Sequence, residues 1–461
     1  MATAVKQLDH YVEAHSELRA RRLQEPAWLQ HLRDQAWHEF RAKGIPTTHD
    51  EDWRFTNVGA LERIPFRRAA GAEGAVTAAM IAPWLVKGAL CRLVFVNGRF
   101  APELSEIGAL PDGIEVTSLG EALRHQDLEA HLGRYANRER DAFVALNTGL
   151  WEDGALVRTE RGVNIERPVH LLYVTSNDAA PVMTHPRTLI VAGATSHLAV
   201  IEDYISLGSG QAFSNSVTEL VAGQDAVVSH YLVERENLDA YNISTLRLEQ
   251  ERGANVHSHS ILLGGGLVRN NVHPVLAGEG AECLINGLFV GGGKQHMDNY
   301  MLVEHAQPNC SSRQFYNGIL DERSRGVFHG RIVVHKDAQH TDAKQTNRNL
   351  LLSDDARIDT KPQLEIYADD VKCTHGATIG QIEEEALFYL RSRGISEAEA
   401  RNLLLYAFAA ECLDRMNHGP ARKFIETLIR ERLSDIAARL GTKLPAVESE
   451  TAEVQSWEEV G

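Results

Sequence analysis

Long apolar stretches are missing from this sequence of 461 residues. No window approaches the roughly 18 consecutive apolar residues that a membrane-spanning helix needs. The N-terminal MATAVKQLDHYVEAHSEL also lacks the apolar stretch of a signal peptide and the acid-poor composition of a transit peptide. We therefore expect a cytoplasmic protein that has no membrane partner.

Positive charge is scarce, because 47 Lys and Arg stand against 63 Asp and Glu and the formal net charge is −16. Proteins that bind nucleic acid neutralise its phosphates with clustered Lys and Arg. The balance argues against that class, so we expect no nucleic-acid partner. A hydrophobic fraction of 43% predicts a folded chain with a substantial core, and the length predicts two or three structural units.

Cysteine is rare and widely spaced. The five cysteines form an odd number without a CxxC pair, which fits neither a disulfide framework nor a zinc pattern. We expect reduced thiols, each of which, taken alone, is more often a small buried side chain than a ligand. They are Cys91, Cys283, Cys310, Cys373 and Cys412.

The motifs of nucleotide and hydrolytic chemistry do not occur. The sequence has no GxGxxG opening a helix, no HExxH and no GxSxG. Two Gly-rich clusters, at 264–266 and 291–293, fail as phosphate-binding loops. The second has Leu288 where a P-loop needs its first Gly and Gln295 where it needs a Mg²⁺-binding Ser or Thr. We expect both clusters to be tight turns, and any nucleotide hydrolysis to come from a partner.

Helical periodicity marks the start of the chain. Leu29, Leu32, Ala36 and Phe40 recur at the spacing of one helix face, and Gly44-Ile45-Pro46 ends the pattern. The pattern predicts an amphipathic helix.

Helical signals return after Gly380. Ser396 followed by Glu399 predicts a capping box at a helix start. A second helix is predicted after Pro420, with an apolar stripe formed by Phe424, Ile425, Leu428, Ile429, Leu433, Ile436 and Leu440.

The middle of the chain is β-rich. CRLVF begins at Cys91 and is followed by Asn97-Gly98, a pair typical of tight hairpins. From about residue 153 to 379, short β-branched runs alternate with Gly, Asn, Asp and Pro, which predicts a sandwich, barrel, propeller or solenoid. An internal alignment favours a solenoid, because polar turns lead through a Cys or His into the next strand at steps of 27, 30 and 33 residues. The aligned residues are Cys283, Cys310, His340 and Cys373.

These patterns predict a mainly β chain with flanking helices, divided into four parts. The parts are an N-terminal helical region at 1–90, a β-solenoid core at 91–380 with regular coils from about 153, a C-terminal helical domain at 381–445 and an acidic disordered tail at 446–461.

Histidine is the residue type that carries information about chemistry. Nine of the 21 histidines lie between 255 and 375. In VKCTHG, Cys373 and His375 are two residues apart, so on a strand both side chains project from one face. A thiolate and an imidazole suit zinc or the iron of a cluster. Tetrahedral zinc or a [2Fe–2S] centre needs four ligands, so the others must come from elsewhere in the fold or from a second chain.

Two other interpretations remain open at this stage. A carbohydrate-active β-helix enzyme would carry paired carboxylates along one face, and Asp298, Glu304, Asp337 and Asp342 are candidates, although solvated turns explain them better. A stand-alone zinc protein would bind stoichiometric zinc as a monomer.

Long strings of the sequence resemble the SufB and SufD family of iron–sulfur cluster assembly scaffolds, over roughly residues 44–416. They include GIPTTHDEDWRFT, ALNTGLWEDG, GVNIERPVHLLYVT and the stretch from YNGILDERSRG to LRSRGI. The resemblance implies a right-handed parallel β-helix between N-terminal and C-terminal helical regions. The C-terminal helices would dock on SufC, an ABC-type ATPase.

Two features resemble the SufD-like branch of the family. Ser353-Asp354-Asp355 stands where SufB-like chains carry a cluster-assembling cysteine. KCTHG and the segment with Gly44, Pro46, Glu51 and Trp53 are similar to SufD-like strings, although a SufB-like role remains the alternative.

The resemblance implies a non-catalytic scaffold in a complex with SufB and SufC. His375 resembles the histidine that takes part in building a cluster at the SufB–SufD interface, and Cys373 is its nearby thiol. The transient cluster would be shared with SufB, which supplies the essential cysteine, and ATP hydrolysis by SufC would drive assembly. Reduced flavin is an expected cofactor of the assembled complex only, and the isolated chain is a candidate homodimer.

Overall fold

The computed structural model describes residues 8–22, 25–69, 76–125, 128–136, 141–177 and 180–439. The predicted acidic tail at 446–461 lies outside these residues. The helices are α1 (Asp9–Arg21), α2 (Ala27–Lys43), α3 (Ala60–Arg63), α4 (Ala78–Ile81), α5 (Leu119–His125), α6 (Ala142–Leu150), α7 (Glu384–Ser392), α8 (Glu397–Ala410) and α9 (Pro420–Arg439).

The first strands follow the N-terminal helices and include short pieces that border the main sheets. They are β1 (Arg67–Arg68), β2 (Cys91–Val96), β3 (Arg99–Phe100), β4 (Ile114–Ser118), β5 (Gly154–Thr159), β6 (Val169–Ser176), β7 (Val182–Thr184) and β8 (Arg187–Ala192).

The remaining strands are long and evenly spaced. They are β9 (His197–Leu207), β10 (Ala212–Ala222), β11 (Val227–Arg235), β12 (Ala240–Gln250), β13 (Asn255–Leu262), β14 (Leu267–Leu276), β15 (Glu282–Gly291), β16 (His296–His305), β17 (Ser311–Leu320), β18 (Arg325–Val334), β19 (Asp342–Leu351), β20 (Arg357–Ile366) and β21 (Lys372–Gly380).

The strands form a parallel solenoid, which confirms the predicted fold class. From β8 onward each strand pairs in parallel with the strand two places later, so the even-numbered strands form one sheet and the odd-numbered strands form the other. We call them sheet A and sheet B. One coil contains one strand of each sheet. Each coil therefore bonds only to its neighbours, as in other repeat architectures.

The alignment from the sequence is correct in its period and wrong in its register. In sheet B, Cys283 pairs with Ser312, Ser312 with Ala343 and Ala343 with Cys373, at steps of 29, 31 and 30 residues. Cys310 lies two residues before its expected position, in the turn ahead of β17, and His340 lies in the turn ahead of β19. The turns differ in length, so aligning polar turn residues does not align the strands.

Side chains that point into the solenoid alternate with side chains that point out, as the pleat of a strand requires. The inward rows form one continuous apolar cluster that runs from the coil of β2 to the coil of β20 and β21. The Gly-rich clusters lie at turns, as predicted, although Gly291 is still the last residue of β15. Gly264 and Gly265 follow β13, and a Cβ on Gly264 would lie 2.4 Å from the carbonyl oxygen of Glu236.

The two ends of the solenoid are built differently. At the N-terminal end, Asn97 and Gly98 take positive φ angles of 52° and 77° and join β2 to β3 in the predicted antiparallel hairpin. Sheet A finishes there with β4, which pairs antiparallel with β5. At the C-terminal end, the parallel sheets stop at β20 and β21.

The N-terminal helices pack on the outer face of sheet A. Helix α2 ends at Gly44, where φ is +69°, and buries Leu29, Ala36 and Phe40 as the periodicity predicted. Between α2 and α3, Trp53 is half-buried and its ring lies 3.9 Å from the guanidinium carbon of Arg269. The ring therefore anchors this segment to the sheet through a cation–π contact.

The C-terminal helices pack on the outer face of sheet B. The predicted capping box of Ser396 and Glu399 is present at the start of α8. In α9, Ile425, Ile429 and Leu433 are buried against the sheet, while Leu440 lies outside the described residues. Each such buried aliphatic side chain contributes about 1.5–3 kcal/mol.

None of the helices in the described ranges combines the length and the apolar character that crossing a membrane requires.

Candidate functional site

The last coil of the solenoid presents two open strand edges. Strand β21 pairs with β19, and β20 pairs with β18. Neither strand has a partner on its other edge in the described part of the chain. Backbone N–H and C=O groups along such an edge are available to a second chain.

Cys373 and His375 lie on β21 and project from the same face, as their spacing predicted. Their partners on β19 are Ala343 and Gln345, which are both buried inside the solenoid. The two side chains therefore continue the inward rows of sheet B into the last coil. Because that coil is the last one, the inward face there is open: Cys373 is half-buried and His375 is exposed.

The two candidate ligands differ in their surroundings. Cys373 packs against the apolar interior cluster. Burial raises the pKa of the Cys373 thiol, a hydrogen bond with the Ala343 backbone opposes this, and the Asp342 carboxylate adds to it. The thiol is thus protonated at neutral pH, and it would have to lose this proton before it could bind a metal.

The described part of one chain supplies only part of a metal site. In the residues that the structure describes, no group of three or more His, Cys, Asp and Glu side chains is placed to hold a metal ion. Cys373 and His375 supply at most two of the four donors that a tetrahedral iron or zinc requires. Any complete coordination sphere here needs donors from another molecule.

The other four cysteines are buried and far less suited to metal binding. Burial raises the pKa of Cys91, Cys283 and Cys412 to about 12 in each case. Cys310 is also buried, and its thiol lies 3.3 Å from the carbonyl oxygen of Gly278. These four cysteines match the expectation that a single cysteine is more often a packing residue.

The histidines on β13 have structural surroundings. The His259 ring stacks on Tyr231 with centroids 4.9 Å apart, and its Nδ1 accepts a 3.0 Å hydrogen bond from Asn286. Burial lowers the pKa of His259 to about 3, and His257 and His230 nearby add to this effect. A neutral ring in this position packs between sheet B and the C-terminal helices.

The acidic residues considered for a carbohydrate-active site are not arranged as a free pair. Three of them are engaged with basic side chains at 2.5–2.6 Å, namely Asp298 with Arg269, Glu304 with His273, and Asp342 with Arg313. The fourth, Asp337, is exposed in the turn before β19. Carboxylates engaged in this way by separate neighbours do not face each other across a groove, as the paired carboxylates of a glycosidase do.

Sequence reasoning missed Gln345, which lies directly beneath His375 in the inward row. Nothing local to Gln345 signals a role, since it is one of several amides in the DAKQTNRNLL strand. The signal that could have found it is the repeat itself, because Gln345 precedes His375 by one coil of 30 residues.

Comparison with known proteins covers nearly the whole chain. The family model of the SUF system FeS cluster assembly, SufBD core domain, matches residues 173–408, and that of the SufBD protein N-terminal region matches residues 1–171. An iron–sulfur cluster assembly SufBD family protein of Synechocystis sp. is 34% identical over 433 residues, covering 90% of this chain and 95% of the relative.

Two relatives carry the name of one branch. The iron–sulfur cluster assembly protein SufD of Escherichia coli is 31% identical over 446 residues, covering 96% of this chain and 97% of its own. The protein of the same name from Bacillus subtilis is 26% identical over 421 residues, covering 89% and 95%. The predicted resemblance to the SufD-like branch is confirmed, and this chain belongs to the SufBD family of the SUF iron–sulfur cluster assembly system.

Proposed function

We propose that this chain is a non-catalytic scaffold subunit that helps to assemble a nascent iron–sulfur cluster at an interface with SufB. The observation that carries the proposal is the position of His375, which is exposed on the inward row of a coil whose strand edges are open. The backbone of β21 therefore places the imidazole on the last coil, where it is accessible to a second chain. The cluster is cargo, and the chain holds it only until transfer.

The open end has the features of a protein interface. Exposed apolar side chains lie there at the ends of both strands, with Ile366 of β20, the following Tyr367 and Ile379 of β21 exposed by 40%, 63% and 50%. A paralogue with the same solenoid cross-section would cover these side chains and continue the sheets across the contact. His375 and Cys373 would then lie at the contact rather than on a free surface.

The donor types suit a cluster that must be passed on. A neutral imidazole is a weaker and more easily displaced ligand for iron than a thiolate. His375 is the proposed ligand, and Cys373 is a candidate transient ligand whose thiol loses its proton when iron binds. SufB supplies the essential cysteine, because the residues that the structure describes offer too few donors.

The C-terminal helices are the proposed docking site for the ATPase SufC. Helix α8 is tied to the solenoid by an ion pair between Arg348 and Glu411 at 2.6 Å. Helix α7 leaves Phe388 and Tyr389 exposed by 72% and 56%. Approach of two SufC subunits on binding ATP would move the two scaffolds against each other, as a nucleotide-biased switch between two conformations.

The proposed location of the protein is the cytoplasm. All five cysteines are free thiols, which is consistent with that reducing compartment. Reduced flavin is assigned to the assembled complex, and no residue of this chain is proposed to bind it. The same exposed end that would receive SufB would also account for a homodimer of the isolated chain.

The test is to produce the chain together with SufB and SufC and to measure iron, acid-labile sulfide and visible absorption of the complex. His375→Ala is expected to remove most of the cluster while leaving the complex assembled. His340→Asn is the matched control, because His340 is an exposed imidazole in a turn of the same end and Asn tolerates its positive φ of 60°.

A complex with His375→Ala that assembles and contains the normal amounts of iron and sulfide would contradict the site. Loss of the complex in both variants would instead show a general effect on the open end, so size-exclusion chromatography accompanies every measurement.

A further inference from the structure

One buried side chain lies directly beneath His375 in the solenoid. Gln345 is the Cα partner of His375 in the parallel pairing of β19 with β21, and its residue is only 1% exposed. Paired positions in neighbouring strands place their side chains about 5 Å apart on the same face. The Gln345 amide is therefore the nearest inward neighbour of the His375 ring within sheet B.

The orientation of the Gln345 amide is fixed from two sides. Its Nε2 donates a 2.8 Å hydrogen bond to Oε1 of Gln314, one coil further from the open end. On the opposite sheet, a Cβ on Gly330 would lie 1.9 Å from the same Nε2. Glycine at position 330 therefore leaves the space that the amide occupies.

The other atom of this amide has no partner. Gln345 Oε1 is buried and accepts no hydrogen bond from any described residue. Oε1 is the other branch of the amide and takes no part in the hydrogen bond with Gln314. A buried acceptor that lacks a donor costs about 1–3 kcal/mol, so its presence calls for a donor that arrives at this position.

We propose that, when a partner chain covers the open end, the exposed His375 ring turns inward and Gln345, as a positioning residue, accepts a hydrogen bond from a ring N–H, which holds the ring in one tautomer. The inference rests on the proposed function of His375 as a ligand. A neutral imidazole that binds a metal through one nitrogen carries its proton on the other, and an acceptor for that proton fixes both the tautomer and the direction of the ring. Gln345 itself does not touch the cluster.

A competing acceptor lies on the other strand of the last coil. Thr360 Oγ1, on β20, is also buried without a partner in the described residues. A hydroxyl can donate as well as accept, so it does not select one tautomer as an amide oxygen does. Thr360→Val is therefore included as a competing variant.

The test measures the tautomer of His375 in the full-length chain bound to SufB, by NMR with ¹⁵N-labelled histidine in this chain only and with His375→Ala used to assign the signal. In the unaltered complex we expect one tautomer. Gln345→Leu is expected to give a mixture of tautomers, and Gln345→Glu, which keeps an oxygen acceptor, is expected to restore one. Asn347→Leu is the matched control, because Asn347 is the next inward residue of β19 and pairs with Ala377.

The second measurement uses the complex with SufB and SufC, loaded with ferrous iron and sulfide. Gln345→Leu is expected to weaken iron retention about 10-fold, as loss of a partner behind a ligating histidine typically does. Asn347→Leu is expected to retain iron normally.

The outcomes separate this inference from the proposed function. An unchanged His375 tautomer in Gln345→Leu would overturn the inference, whatever the cluster content of the complex. So would a tautomer change of the same size in Asn347→Leu, or a tautomer change that appears only in Thr360→Val. Normal cluster content in His375→Ala would overturn the proposed function. If the His375 tautomer changed only when Gln345 was substituted, the hydrogen bond between Gln345 and His375 would still be supported.

Discussion

The side-chain Nδ2 of Asn286 lies 2.8 Å from the carbonyl oxygen of Cys412. One coil further along, Asn317 donates a 2.8 Å hydrogen bond to the carbonyl oxygen of Phe408 in α8. Carbonyl groups near the end of a helix lack intrahelical donors. Two asparagines of sheet B therefore supply donors at the end of α8 and connect the C-terminal helices to the solenoid.

Asn317→Leu is expected to loosen this connection, by about 1–3 kcal/mol for a buried carbonyl that loses its donor. Hydrogen exchange should become faster in α8 and α9 while the solenoid strands keep their protection. Asn255→Leu is the matched control, because the Asn255 amide contacts the Glu282 side chain on the outer surface of the same sheet, 3.1 Å away. Equal exchange rates in the two variants would contradict the anchoring role.

A buried ion pair within sheet A also holds the segment 128–136 against the sheet. Arg187 and Glu219 are 2.7 Å apart with side chains no more than 1% exposed, and the Glu219 carboxylate also accepts backbone hydrogen bonds from Gly133, Tyr135 and Ala136. Glu219→Gln leaves the Arg187 charge buried without its partner. We expect the free energy of unfolding in urea to fall by about 3–5 kcal/mol.

The comparison for this prediction is an exposed pair. Arg19 and Asp34 are 3.2 Å apart with side chains 68% and 48% exposed. Asp34→Asn should change the free energy of unfolding by less than about 1 kcal/mol, because solvent screens exposed pairs. Similar losses in both variants would show that burial does not decide the strength of the pair.

Acid should destabilise the fold through histidines that are buried in the neutral form. Burial lowers the pKa of His185 and His259 to about 3 and that of His305 to about 4, from an ordinary value of 6.5. Between these values the unfolded chain binds protons that the folded chain does not. The free energy of unfolding therefore decreases as the pH falls from about 6.5 toward 4.

His259→Gln removes one of the groups that binds a proton only in the unfolded chain, and the Gln side chain still offers an acceptor to Asn286. Between pH 6 and 5, the slope of unfolding free energy against pH should become shallower by up to about 1.4 kcal/mol per pH unit. Urea unfolding at several pH values measures the slope, and His31→Gln, a change at an exposed position of α2, is the control. An unaltered slope in His259→Gln would contradict the assignment.

Thiol labelling should distinguish Cys373 from the four buried cysteines. Only Cys373 is more than slightly exposed, so we expect one rapidly labelled thiol per folded chain and five after denaturation. Cys373→Ser should abolish the rapid phase. Addition of SufB should slow labelling if the open end is its docking surface, and an unaffected rate in a complex that has formed would argue against that surface.

Replacing His375 with a stronger ligand tests the idea of transient binding. In the complex, His375→Cys should retain the cluster but transfer it to an acceptor protein more slowly than the unaltered chain, because a thiolate is displaced less easily than an imidazole. Transfer kinetics monitored by visible absorption measure this. Equally fast transfer would show that the ligand at position 375 does not set the release rate.

Local patterns predicted the features that depend on a few neighbouring residues. The hairpin at Asn97-Gly98 and the capping box of Ser396 and Glu399 appear as expected, since each needs only its own backbone geometry. The common face of Cys373 and His375 follows from the alternation of any strand.

Features that depend on several coils could not be read from the sequence. The solenoid interior contains Glu202 and His230, which are 2.9 Å apart and buried, and Thr218 donates a 2.7 Å hydrogen bond to the same carboxylate. A charged residue in a strand of alternating pattern is normally predicted to point outward. That Glu202 points inward becomes clear only when its strand is stacked with the strands that carry His230 and Thr218. The same reason hid the position of Gln345, which is the Cα partner of His375 in the next coil.

The difference between the two ends of the solenoid limits how many copies can join in a row. In the described part of the chain, parallel strand edges are free at β20 and β21, whereas the opposite end finishes with the antiparallel strands β3 and β4. The edges at that opposite end are short, because β3 has 2 residues and β4 has 5, against 10 and 9 in β20 and β21. The far end therefore offers a second chain less backbone to pair with, which disfavours growth into a fibre.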